Sequence, residues 1–273
     1  MNSGEDKIYP LTRIVSGVVV PFLWLAFMIL FFFPDQTGAR FAWAIKPHMT
    51  AIYMGAGYLG GSWLFLNALF GRRWHRVANG FLPITAFTWA MLLATLLHWD
   101  RFSHGQLGFA LWVVLYIVTP FLVPALWFYN RRTDAGQVEQ GDLPVPLPIR
   151  WATGLVGAGA SLFALVSFVY PSLIQSVWPW TLSPLTGRIM SGWIALLGVG
   201  GICMARDPRW SSWRVPLECI IVWHVVMLLG AIANVNDFTG NIINWYTSAI
   251  LLMLAALASL YVFMETRRRK TRT

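Results

Sequence analysis

His98-Trp99-Asp100-Arg101 is the densest local grouping of chemistry-bearing side chains in this chain. A histidine beside a carboxylate at the edge of an apolar run has three ordinary uses. It is an imidazolium held by the acid, a proton acceptor, or a metal ligand whose geometry the acid helps to set. Side chains two positions apart on a helix diverge, so the run is not by itself a catalytic signature. The same ends of the apolar runs carry His48 and His104 from the first half of the chain, and Arg188, Asn234, Asn236, Asp237, Asn241 and Asn244 from the second. Together they define an expected ligand site of His48, His98, Asp100, Arg101, His104, Arg188, Asn234 and Asp237, a polar pocket opening outward between the two halves. The competing explanation is that helix ends are polar because they meet water.

His224 completes the candidate set from a different position, near the middle of an apolar run. An ionisable group at membrane depth is a functional candidate by default. Glu218 is six positions away and does not share its helical face. A neutral histidine donating one hydrogen bond to the backbone accounts for the residue equally well.

The chain carries no Gly-x-x-x-x-Gly-Lys-Ser/Thr loop, His-Glu-x-x-His, Gly-x-Ser-x-Gly or Cys-x-x-Cys motif. Lys7, Lys46 and Lys270 are its only lysines, and none lies in an apolar run, which excludes a retinal Schiff base. Cys203 and Cys219 have no metal-type spacing and read as apolar packing residues. This inventory favours a non-enzymatic protein. No cofactor or metal is fixed by it, although haem ligated by His98 and His224, or by one of these with His48 or His104, is a redox alternative. Against a symmetric pair, His224 aligns with Thr88 and lies deeper than His98.

The elements that must position these residues follow from composition. At 57% hydrophobic and 11% charged, the chain is too apolar to hide its nonpolar surface in one water-soluble core. Eight runs are long enough to cross roughly 30 Å of hydrocarbon at about 1.5 Å per residue: 14–33, 51–71, 79–99, 107–129, 151–171, 188–205, 215–234 and 242–264. The expected fold is therefore an all-α integral membrane protein of eight transmembrane helices. The apolar run from Ile14 has no small-residue cleavage site and is taken as the first span, not a signal peptide.

Charge orients the spans. The net charge of +9 is concentrated at alternate ends of the apolar runs and in the tail Arg267-Arg268-Arg269-Lys270 with Arg272. Only Arg40, Lys46, Arg101 and Arg188 fall at the other ends. Basic loops stay cytoplasmic, so both termini are expected there, in a multi-pass cell-membrane protein. The charge is explained by topology and not by nucleic acid. The tail is also suited to anionic lipid.

The two halves echo each other. Trp43-Ala-Ile-Lys-Pro47 lines up with Trp180-Thr-Leu-Ser-Pro184, Gly55 with Gly192, Arg73-Trp74 with Arg209-Trp210, and Asp100-Arg101-Phe102-Ser103 with Asn236-Asp237-Phe238-Thr239. The expected organisation is a four-helix repeat over 1–132, a Pro/Gly-rich cytoplasmic linker over 133–149 read as a spacer, and a second repeat with a basic tail over 150–273. An even number of spans per copy makes the duplication parallel. Glycines of the second and sixth spans are expected to bring those helices together near the pseudo-twofold centre. Most of the sixteen tryptophans, Trp43, Trp99, Trp178 and Trp180 at one level and Trp74, Trp127, Trp151, Trp210 and Trp213 at the other, are read as interfacial belts. Three functions fit: small-molecule binding or transport, a haem or redox protein, and a structural subunit of a membrane complex or homo-oligomer.

Overall fold

The computed structural model describes residues 5–134, 136–241 and 244–270. Each apolar run folds as a helix: α1 (Pro10–Phe32), α3 (His48–Phe70), α4 (His75–Leu97), α5 (Leu107–Asn130), α6 (Leu147–Val169), α8 (Pro184–Arg206), α9 (Trp210–Ala233) and α10 (Trp245–Lys270). Two short helices, α2 (Thr37–Arg40) and α7 (Pro171–Val177), lie in the connections between α1 and α3 and between α6 and α8. No β-strand occurs among the described residues, only an isolated bridge between Pro144 and Arg209. Arg272 and residues 242–243 at the start of the last expected span lie outside the described residues.

The helices extend beyond the apolar runs toward the basic loops, because Arg13, Arg76, Arg150 and Arg214 occupy their first turns and Arg267 to Lys270 the last turn of α10. Proline marks several starts, where its missing N–H costs nothing. At α8 it follows Ser183, whose side chain accepts from the Thr186 N–H in a capping box.

Seven of the long helices are long and apolar enough to cross a membrane, and the architecture is that of a helical multi-pass membrane protein. The eighth expected span, α3, matches them in length but not in hydropathy. Fifteen of its 23 residues are buried, against three of 23 in α1, so α3 faces protein on most sides and tolerates Thr50, Ser62, Asn67 and four glycines.

Helix pairing is the same in both halves. α1 packs on α3 as α6 packs on α8, and α4 on α5 as α9 on α10; across the halves α3 packs on α9 as α8 packs on α4, and α4 meets α9. The molecular centre is thus the α4–α9 contact, not the expected pairing of α3 with α8. The glycines serve other contacts. Gly60 lies against the Cys219 carbonyl and Trp223 of α9, Gly192 against Ala90 and Met91 of α4, and Gly198 and Gly201 against Gly157 of α6. α3 and α8 touch through the Trp193 ring, which covers Gly57.

Local structure repeats as well. A 3-10 turn follows α4 at Trp99–Arg101 and α9 at Val235–Asp237, and the residues before them have nearly equal torsions, φ −129° and ψ 30° at His98, φ −129° and ψ 41° at Asn234. The Ser103 N–H then donates to the Ala42 carbonyl at 2.8 Å, and the Thr239 N–H to the Pro179 carbonyl at 2.8 Å. Trp43 stands edge-on to Phe102 at 5.2 Å, and Trp180 edge-on to Phe238 at 5.5 Å. Six of the nine expected belt tryptophans, Trp43, Trp74, Trp178, Trp180, Trp210 and Trp213, are therefore core residues, each at most 8% exposed. They anchor the loops at both ends of the bundle, while Trp99 and Trp151 remain exposed.

Candidate functional site

At the end of the molecule opposite the basic loops, the expected site residues are only partly assembled. His98, the C-cap of α4, accepts from Arg188 Nη1 at 2.7 Å, and Arg188 Nε donates to the Phe168 carbonyl at 3.0 Å. Burial, then the charges of Arg188 and Arg101, hold His98 below the usual histidine range, so it is neutral near pH 7. Asp237 accepts the Met49 N–H at 2.8 Å and so caps α3 from the other half of the chain. The remaining groups are dispersed. His48 pairs with exposed Asp35 at 2.7 Å, His104 donates to the Trp99 carbonyl at 3.0 Å, Asn234 donates to the Gly230 carbonyl at 2.9 Å, and the side chains of Asp100 and Arg101 are exposed. His98 and Arg188 are thus the pair brought together across the halves.

Concave space lies deeper. A cavity of about 180 Å³ sits between α1, α3, α4, α5, α8 and α9, in the half of the bundle nearer the basic end. Ala26, Gly57, Gly60, Gly61 and Gly200 keep its walls low, and Pro83 and Pro216 interrupt α4 and α9 beside it. Its main polar feature is the buried Tyr58 and Tyr116 hydroxyl pair, 2.9 Å apart. A Cβ at Gly57 or Gly60 would clash with Trp193 or the Cys219 carbonyl, whereas one at Gly61 would meet nothing within 4 Å. A second cavity of about 230 Å³ lies toward the opposite end, between α3, α6, α8, α9 and α10. His224 lines it and donates from Nδ1 to the Ile220 carbonyl at 2.9 Å. His98 lines neither cavity, and its Nε2 is engaged by Arg188, so the two histidines do not frame a common haem pocket. Of the nine expected site residues, His224 alone faces one of these two cavities.

The densest polar cluster is at the basic end and was not among the expected site residues. His75, 1% exposed, meets Asp6 through Nδ1 and, through Nε2, Ser211 Oγ at 2.8 Å and Glu139 at 3.1 Å. Ser211 Oγ donates to Asp142 at 2.5 Å. Asp6 also caps α4 by accepting the His75 N–H at 3.0 Å, and Asp142 caps α9 by accepting the Ser211 N–H at 3.1 Å; each acid lies 69 residues before the position it caps. His75 and Ser211 therefore occupy matching positions at the starts of α4 and α9, and they touch where those helices meet. Asp6 holds φ +42°, a left-handed conformation costing about 1 kcal/mol in a non-glycine residue.

The linker expected to be a spacer is bound into this cluster. Arg76 donates twice to Glu139, at 2.9 and 2.6 Å, and Arg209 donates twice to Asp134, both at 2.8 Å, and also to Asp207. Burial raises Glu139, but the hydrogen bonds and charge of Arg76, with the charges of His75 and Arg73, outweigh it and hold the carboxyl below its ordinary range. Asp134 is likewise lowered against its burial, by Arg209 and the Gly136 N–H.

Asp6, His75 and Ser211 have the order of a nucleophilic triad. The serine proton, however, is committed to Asp142, Ser211 is 3% exposed, and neither cavity includes the cluster. Asp6, His75 and Glu139 also bring three metal-ligand atoms within 4.8 Å of one another, but those atoms already face each other, Ser211 and Arg76 as a closed set of hydrogen bonds. The arrangement is a structural clasp. The signal that points to it is the equal spacing of the two aspartates from His75 and Ser211. Compared with family models, curated proteins and solved structures, the chain matches none of them.

Proposed function

We propose that this protein is an eight-span, internally duplicated protein of the cell membrane, with both termini cytoplasmic, that binds a hydrophobic small molecule in the cavity between α1 and α5. The cavity carries this reading. Its walls are mostly apolar, with Asn79, Thr88, Thr119 and the tyrosine pair as polar exceptions, and about 180 Å³ exceeds the roughly 150 Å³ cavity that accepts benzene in a soluble protein. Its depth, with the basic end cytoplasmic, corresponds to the inner leaflet. A ring system, or a segment of an isoprenoid or acyl chain, matches that space and that chemistry. Such a molecule partitions into lipid unaided, so the protein supplies selection and orientation and not a route across the bilayer; this favours binding over transport. The duplication is supported by the shared helix pairing, the matching turns and the paired aspartate caps.

Gly61→Phe tests the reading, because the new side chain enters open space without displacing backbone. Solvent extracts of the purified full-length protein should contain a hydrophobic molecule at near one equivalent, and the variant, folded and monodisperse, should lose most of it. Equal recovery from both proteins would contradict the assignment.

A further inference from the structure

The second cavity has a different chemistry. Tyr53, Phe163, Trp178, Trp245 and Tyr246 give it aromatic walls, and His224 faces it from α9. Tyr53 stands edge-on to Trp178 at 5.8 Å, and Trp178 lies 5.1 Å from Tyr246. Such edges and faces favour a planar π partner. The Nδ1–H of His224 is committed to the Ile220 carbonyl, which leaves Nε2 as the acceptor of the neutral ring, and no donor among the described residues reaches it. Trp178, 8% exposed, has an indole N–H buried without an acceptor among the described residues. An unmatched acceptor on His224, facing an aromatic-walled space, constitutes a second observation beyond its volume.

We propose that this cavity is a binding site for a small planar aromatic molecule of one or two rings that donates a hydrogen bond to His224 Nε2. The site is independent of the apolar one, although Leu197 borders both. It belongs to the second half alone, since Thr88 stands where His224 does in the first.

Indole and naphthalene separate this proposal from simple hydrophobic filling, because they match in size and only indole carries an N–H. Equilibrium dialysis of each radiolabelled compound is measured against the full-length protein in nanodiscs, with empty nanodiscs as the blank. Indole should bind saturably at one equivalent, and naphthalene on the order of tenfold more weakly or less, the factor that a hydrogen bond of about 1.4 kcal/mol confers. His224→Phe should lose the preference for indole, and Gly61→Phe should keep it. Equal affinity of the two compounds for the native protein would overturn the proposal without reference to any variant, as would uptake no greater than in empty nanodiscs. Loss of indole binding in a folded Gly61→Phe protein would place indole in the first cavity and equally overturn it.

Discussion

His75 joins four segments that are remote in sequence: the N-terminal stretch before α1 through Asp6, the linker through Glu139, the start of α9 through Ser211, and its own helix. Removing one partner from such a buried set leaves the others uncompensated. His75→Ala is expected to cost about 3 kcal/mol, and Ser211→Ala, which removes the hydroxyl's bonds to His75 and to the Asp142 carboxylate but leaves the Asp142 cap on the backbone, about 2 kcal/mol. Reversible unfolding of both variants in mixed micelles measures the difference. The clasp also has a pH signature. Glu139 and Asp134 are lowered in the folded protein, so their contribution is complete above the ordinary carboxylate values, about 4.3 and 3.9, and is lost as the pH falls through the folded values. Stability should therefore decline below about pH 4, and Glu139→Gln should flatten that decline. None of these pairings is legible in a sequence read locally. Each acid chooses its partner across 63 to 75 residues, and only the repeated interval of 69 betrays two of them.

At the scale of elements, hydropathy locates each long helix to within a few residues, because a segment that must satisfy its backbone without water has only the helix to adopt. What it does not give is the neighbour of each helix. The glycines of α3 and α8 announce close approach, but a glycine has no side chain to say which helix approaches. α6 and α8 are the clearest case. A Cβ at Gly157 would stand 2.7 Å from the Gly198 carbonyl, whereas one at Gly159, two positions on, would meet nothing within 4 Å. Gly157→Leu should therefore separate α6 from α8 and lower the unfolding midpoint sharply. Gly159→Leu should leave it nearly unchanged, because its side chain enters lipid-facing space. The tryptophans teach the same lesson from the other side. Position near a span end suggests an interfacial belt, yet Trp43 and Trp180 turn inward because Phe102 and Phe238 give each an edge-on partner.

For the whole molecule, the likeness of the two halves was readable from the recurrence of the Trp and Pro positions, and the same helix pairing recurs in both. The location of the enclosed space was not. It depends on how side chains remote in sequence fill the space between the helices, and one opening lies toward each end of the bundle. The topology makes a direct prediction. In a background with Cys203 and Cys219 replaced by alanine, Arg132→Cys and Lys46→Cys, both exposed positions, should be labelled by a membrane-impermeant maleimide from opposite sides of intact cells and inverted vesicles. Labelling of both from one side would reverse the assignment of helix α3 as a span. The central claim is that two four-helix halves enclose an apolar ligand site between α1 and α5. Its most direct test is an experimental density map, at near-atomic resolution, of the protein taken from its native membrane without added ligand. The expected map shows non-protein density beside Gly61 and the Tyr58–Tyr116 pair, absent in Gly61→Phe. A cavity closed by contact of α1 with α5, with no such density, would contradict it.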